Sequence, residues 1–326
     1  MLKNGYILLI FILCIPGCTP VAKKSLVRRL YCPSKTYNNL QTSSSSNSLL
    51  EQKNVTGNPA VTIWIHGTRL LPQSLFKNFF QSMPGLHHYQ EIEKKYYLHR
   101  IAQILTESDP VMFPAPYFYL FGWSGKLSFK EREQSARTLY LDLKKVRDEY
   151  KKIYGAEPHI TILAHSHGGN VALLLEQIKD PDDTTFFIDR LILLAVPVQQ
   201  HTVEYCYAPL FGKIYSLYSL LDVLQVIDPQ GLNKAIKAPL FSERLFPCHE
   251  KLEQVAIKVN DRSIMHMEFI LPTFLNRLSA IIKAIDRWQL HSKASYNAWY
   301  TQEKCLCIYT KPDRRCVTLG KITDGQ

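Results

Sequence analysis

The stretch Ile160-Thr161-Ile162-Leu163-Ala164-His165-Ser166-His167-Gly168-Gly169-Asn170 decides the fold. Ile160 to Ala164 is a short apolar run that reads as a buried strand, and the apolar-periodic stretch from Val171 to Ile178 reads as a helix. Between them lies a tight polar turn with Ser166 at its corner. A serine at such a corner is thrust out at the carboxyl end of the strand, and small neighbours let strand and helix close around it. The pattern is usually written G-x-S-x-G. Ala164 stands at the first glycine, where a small side chain is the main requirement. The strand-turn-helix context is far more specific than the five letters alone.

Upstream, the β-branched run Ala60-Val61-Thr62-Ile63-Trp64-Ile65 ends in His66-Gly67-Thr68. Downstream, Lys213 to Tyr218 reads as a strand followed by Asp222, and Val255 to Val259 as a strand followed by His266. With these pieces the chain resembles the α/β-hydrolase superfamily of lipases and esterases, in element order, from Val55 to Leu290. The resemblance implies a nucleophile at Ser166, an acid at Asp222 and a base at His266, in the family's chain order. It implies an oxyanion hole from the backbone N–H groups of Thr68 and His167, with His66, Gly67 and Gly168 in support. Asp228 competes with Asp222 but lies farther from the strand end. His249 competes with His266 but precedes its strand. His165 and His167 form an H-x-H pair with no third ligand in view, so no metal and no cofactor is expected.

Strands alternate with helical patterns, which predicts an α/β-hydrolase fold with a mainly parallel sheet of about six or more strands and helices on both faces. The expected strands are Val61–Ile65, Tyr117–Phe121, His159–Ala164, Leu191–Val196, Ile214–Tyr218 and Val255–Val259. Phe129 to Tyr154 is the clearest helix, with Ala136, Leu139, Leu143, Val146 and Tyr150 on one face and a stop at Gly155. Further helices are expected over Tyr89 to Leu105 and over Met267 to Leu290, the latter kinked or opened by Pro272. The segment from Leu70 to Met83 is rich in Leu and Phe. It reads as a packed helix in preference to a mobile flap. Val198 to Gly212 is too short for a large cap domain. Trp123 is expected to line or support the pocket.

The chain has 326 residues, 46% of them hydrophobic, enough for one large domain and too many for a disordered chain. Residues 55–292 are expected to form it. Residues 1–18 resemble a bacterial lipoprotein leader ending in Ile15-Pro16-Gly17-Cys18, with Cys18 as the lipidation site. Residues 19–54 contain a serine run and read as a flexible tether. Residues 293–326 hold Cys305, Cys307 and Cys316 and read as a disulfide-held hairpin. Of eight cysteines, six lie beyond the leader: Cys32, Cys206, Cys248, Cys305, Cys307 and Cys316. In an oxidising compartment they could pair. The formal net charge is +11. The basic residues are dispersed and no nucleic-acid motif is present, so the expected partners are a lipid or small ester substrate and a membrane surface, an anionic one included.

These features lead to an exported serine hydrolase of carboxylic esters, with acylglycerols, lysophospholipids or sterol esters favoured. A thioesterase, amidase or acyltransferase would use the same triad. A surface lipoprotein that uses the fold only for binding is the alternative of a different class.

Overall fold

The computed structural model describes residues 60–68, 83–222, 224, 245–247, 249–291, 304–309 and 316–321. The leader with Cys18, the tether, the segment from Leu70 to Phe80, Asp228, Cys32 and Cys248 lie outside the described residues.

The strands are β1 (Val61–Ile65), β2 (Gly85–His88), β3 (Phe118–Gly122), β4 (Ile160–His165), β5 (Ile188–Leu194), β6 (Phe211–Tyr218), β7 (Leu252–Val259), β8 (Arg262–Ser263), β9 (Lys304–Tyr309) and β10 (Cys316–Lys321). They form one 10-stranded sheet in the order β10-β9-β7-β6-β5-β4-β1-β3-β2, with β8 off this path on β7. The strands from β3 through β9 along this path run parallel. β2, β8 and β10 are antiparallel to their partners. The helices are α1 (Tyr97–Ser108), α2 (Phe129–Tyr154), α3 (Gly168–Leu173), α4 (Leu175–Ile178), α5 (Pro272–Leu275) and α6 (Leu278–His291). This is the mainly parallel sheet with helices on both faces expected from the sequence.

The period of two along each strand sends side chains alternately to two cores. Val61, Ile63 and Ile65 of β1 face Leu139 and Leu143 of α2 on one side of the sheet. Trp64, between them, belongs to the opposite core, with Leu98 and Ile101 of α1 and Ile281 and Ile285 of α6. Full burial of each such leucine or isoleucine is worth about 1.5–3 kcal/mol.

α2 has the predicted bounds because both ends are encoded locally. Ser128 Oγ accepts from Glu131 N–H at 3.4 Å, and Gly155 closes the helix at φ 69°. Other elements depart from expectation. The predicted helix over Tyr89 to Leu105 divides into a 3-10 turn (Tyr89–Glu91) and α1, and is preceded by β2. β2 reads Gly-Leu-His-His and is half-buried, so it has no apolar alternation to announce it. Asp142 of α2 fixes it, accepting from Leu86 N–H at 3.1 Å. The predicted helix from Met267 divides into a 3-10 turn (His266–Ile270), α5 and α6, because Pro272 has no N–H and stands in the first turn of α5.

The C-terminal stretch enters the main sheet, with β9 running parallel to β7 and β10 folding back on β9. Its register sets Cys305 opposite Gly320, Cys307 opposite Thr318 and Cys316 opposite Tyr309. In this register no cysteine stands directly opposite another across the pair. Cys206 is a buried free thiol. Val203 O accepts from its Sγ, and burial pushes its pKa up to about 12.

Candidate active site

Ser166 follows the last residue of β4 and adopts φ 53°, a left-handed conformation that a residue with a Cβ rarely takes. Such a residue stores on the order of 1–3 kcal/mol, so its surroundings must hold it. Ser166 N–H donates to Leu194 O at 2.9 Å, and Ser166 O accepts from Gly169 N–H at 2.9 Å. Leu194 ends β5, so the turn is anchored to the neighbouring strand.

The turn after β1 lies directly against this corner. A Cβ on Gly67 would stand 2.7 Å from Ser166 Cβ. A Cβ on Gly168 would stand 2.5 Å from His66 O and 2.8 Å from Ile65 O. All three separations are shorter than real Cβ atoms show, so these two glycines are what let the turns meet.

His66 braces the first turn. Its Nδ1 faces Gly67 O at 2.7 Å, and its Nε2 faces the backbone N–H of Trp123 at 3.3 Å. A carbonyl demands a proton on Nδ1 and an amide demands a lone pair on Nε2, so the ring is neutral. Trp123 Nε1–H donates to His66 O at 2.7 Å, and the two rings stack at 5.7 Å. Trp123 therefore supports this turn. Thr68 ends the described part of this turn, and among the described residues its buried Oγ1 has no hydrogen-bond partner.

His167 caps the N-terminus of α3. Gln199 Nε2 donates to its Nδ1 at 3.5 Å, and Gln199 Oε1 accepts from Arg132 at 3.2 Å. Arg132 is fully buried, its guanidinium 4.8 Å from the centre of the Phe129 ring. Sequence reasoning missed Arg132 and Gln199. Arg132 is one of many charged residues on α2, and nothing local distinguishes it. The H-x-H pair is divided between different partners: His167 meets Gln199, whereas His165 Nε2–H donates to His266 O at 3.3 Å.

Asp222 and His266 are brought together from the loops after β6 and after β7. His266 Nδ1 lies 2.8 Å from Asp222 Oδ2 and 3.0 Å from Oδ1. The carboxylate is fully buried, and its backbone N–H donates to Ser219 O at 3.1 Å. This contact puts the proton on Nδ1 and leaves Nε2 as a lone-pair base. Among the described residues, no hydrogen bond joins Ser166 Oγ to His266. Such contacts are often long in free enzymes and tighten on substrate. His165, next to Ser166, packs its ring 4.7 Å from that of His266. Burial, followed by the neighbouring His266, holds the His165 pKa well below the usual imidazole range. The rival His249 stands before β7, its ring tilted against that of Tyr207 at 4.9 Å.

No protein-family model and no curated protein sequence matches the chain. Among solved structures, the esterase Pf2001 of Pyrococcus furiosus aligns over 70% of this chain and 82% of its own, at 12% identity and a TM-score of 0.39. An acetylxylan esterase aligns over 69% of this chain and 98% of its own, at 9% identity and a TM-score of 0.32. An esterase of Pyrobaculum calidifontis aligns over 71% of this chain and 77% of its own, at 14% identity and a TM-score of 0.34. At such values only the site's own geometry can carry a functional reading.

Proposed function

We propose that the chain is a serine hydrolase of carboxylic esters, acting through Ser166, His266 and Asp222. The observation that carries this is the buried Asp222–His266 contact, on loops leaving the same end of the sheet as the left-handed Ser166. A serine hydroxyl is weakly nucleophilic and needs a base. His266 Nε2 takes the Ser166 proton as Oγ attacks the ester carbonyl. Asp222 fixes the tautomer and stabilises the imidazolium. The amides of Thr68 and His167 receive the oxyanion, each such donor being worth ~10²–10³ in rate. The imidazolium protonates the leaving alcohol, and the acyl group remains on Oγ. Water, deprotonated by His266, then releases the acid and restores Ser166.

Lipid esters are the favoured substrates. Leu221 beside Asp222, Met265 and Met267 on either side of His266, and Leu271 beyond them are large apolar side chains exposed to solvent, 37% to 49% each. They edge the two loops that hold the acid and base and suit an apolar acyl substrate. The positive net charge suits an anionic membrane surface, and lipidation of Cys18 in an exported protein would keep the domain there.

Hydrolysis of p-nitrophenyl esters from acetate to palmitate, beside Ser166→Ala, tests this reading. Activity is expected to rise with chain length and to vanish in the variant. A folded chain with no activity at any length and no fluorophosphonate labelling of Ser166 would refute it.

A further inference from the structure

We infer that His165 is a positioning residue for the general base, binding the nucleophile turn to the loop that carries His266 through its Nε2–H and the His266 carbonyl. This rests on the roles given above to Ser166 and His266.

His165 is the last residue of β4, so strand alternation sends its side chain to the face opposite Ala164. That face holds Leu163, Trp64 and α1. The imidazole is almost fully buried and donates to His266 O at 3.3 Å with the two rings 4.7 Å apart. Its other edge lies against the oxyanion turn: a Cβ on Gly67 would come within 3.1 Å of His165 Nδ1. One ring thus touches the backbone of the base and the turn before Thr68, and it precedes Ser166 in the chain.

The surroundings restrict what else the ring can do. It borders a cavity of about 10 Å³ shared with Trp64, Tyr97, Leu98 and Ile270, room for about one water. The same loop is pinned farther on, where Tyr97 Oη–H donates to Ile270 O at 2.7 Å. On the outer side, Glu268 accepts from Met265 N–H at 3.0 Å and pairs with Arg262. Neither contact reaches residue 266 itself. His165 adds a side-chain bond at residue 266, where the 3-10 turn begins, while Asp222 orients the ring. The low pKa of His165 fits the role, since a neutral ring adds no positive charge beside a base that must accept a proton.

The test uses the full chain with His165→Phe, His165→Gln and His165→Asn. Phenylalanine keeps the ring and loses the donor. Glutamine carries an N–H close to the Nε2 position, and asparagine is too short to reach. In His165→Phe and His165→Asn, kcat and the rate of fluorophosphonate labelling at Ser166 are expected to fall by ~10–10². KM should stay within about twofold, because substrate contacts are unchanged. His165→Gln should recover most of the rate. The downfield proton signal of the His266–Asp222 hydrogen bond should broaden in the Phe and Asn variants and return with Gln. Labelling at the unsubstituted rate in folded His165→Phe would overturn the inference. So would a folded His165→Gln as slow as His165→Asn, a comparison that stands even if the Phe variant does not fold. If the unsubstituted chain is not labelled at all, the serine-hydrolase reading itself fails, and this outcome appears without any change at residue 165.

Discussion

Thr68 poses a sharper question than its place in a short motif suggests. The sequence pattern gives its backbone N–H to the oxyanion, yet among the described residues its buried hydroxyl has no partner. An unpaired buried hydroxyl is costly, by about 1–3 kcal/mol. Thr68→Val keeps the amide and the shape and removes only Oγ1. If the amide alone serves the oxyanion, kcat should stay within about threefold, and the folded state should gain up to about 1 kcal/mol from losing an unsatisfied group. A fall in kcat of ~10² would instead identify the hydroxyl as a donor. Ser166, Asp222 and His266 were legible because each follows a strand in an order the sequence preserves. His165 was visible only as half of an H-x-H pair. Its contact with residue 266 spans 101 positions, and no local pattern records such a meeting. Arg132 and Gln199 were hidden for the same reason.

Elements were legible where their ends are encoded locally. α2 carries its own cap, its own stop and a clear apolar stripe. The run after His266 keeps an apolar period across its breaks, so periodicity alone joined what Pro272 divides. β2 gave no signal because its half-buried Gly-Leu-His-His has no apolar alternation, and its pairing with β3 and contact with Asp142 are not local. β9 has a direct consequence for stability. Leu306 and Ile308 are buried in the same core as Ile257 of β7 and Ile281 of α6. Ending the chain at residue 303 removes both and opens the β7 edge for pairing with other chains. The truncated protein is expected to lose several kcal/mol in urea unfolding, by about 2–5 kcal/mol for each large aliphatic lost. It should also aggregate on heating. Unchanged unfolding and solubility would show that the core does not depend on β9.

For the molecule as a whole, pH acts in two separate ranges. His165 is held neutral in the folded state, whereas the unfolded chain protonates it around 6.5. Above that pH both states are neutral there and the residue adds nothing to the pH dependence. Below it only the unfolded state takes up the proton, so stability is lost as pH falls, at up to about 1.4 kcal/mol per pH unit until the folded pKa is reached. The carboxylates act lower. Burial works against the charged form of Asp109, but Lys283 and the N–H of Met112 outweigh it and lower its pKa from 3.8. Asp183 is lowered likewise, with Arg147 outweighing burial. These groups give stability that is present above 3.8 and lost as pH falls through their folded values. Thermal melts from pH 7 to pH 4.5 should therefore show a decline that is shallower in His165→Phe. An equal slope in both proteins would mean that His165 is protonated in the folded state.

The contact of Gly67 with Ser166 also bears on how such a chain can change over generations. Every replacement of Gly67 adds at least one carbon where Ser166 Cβ already stands, 2.7 Å away. Position 67 thus has no neutral neighbour in sequence space, and Gly168 is confined in the same manner by the backbone of Ile65 and His66. Drift can rewrite the surfaces of α1 and α2 freely, but it cannot alter the spacing between these two turns one residue at a time. Lineages descending from this chain should diverge almost everywhere before they diverge at those two positions.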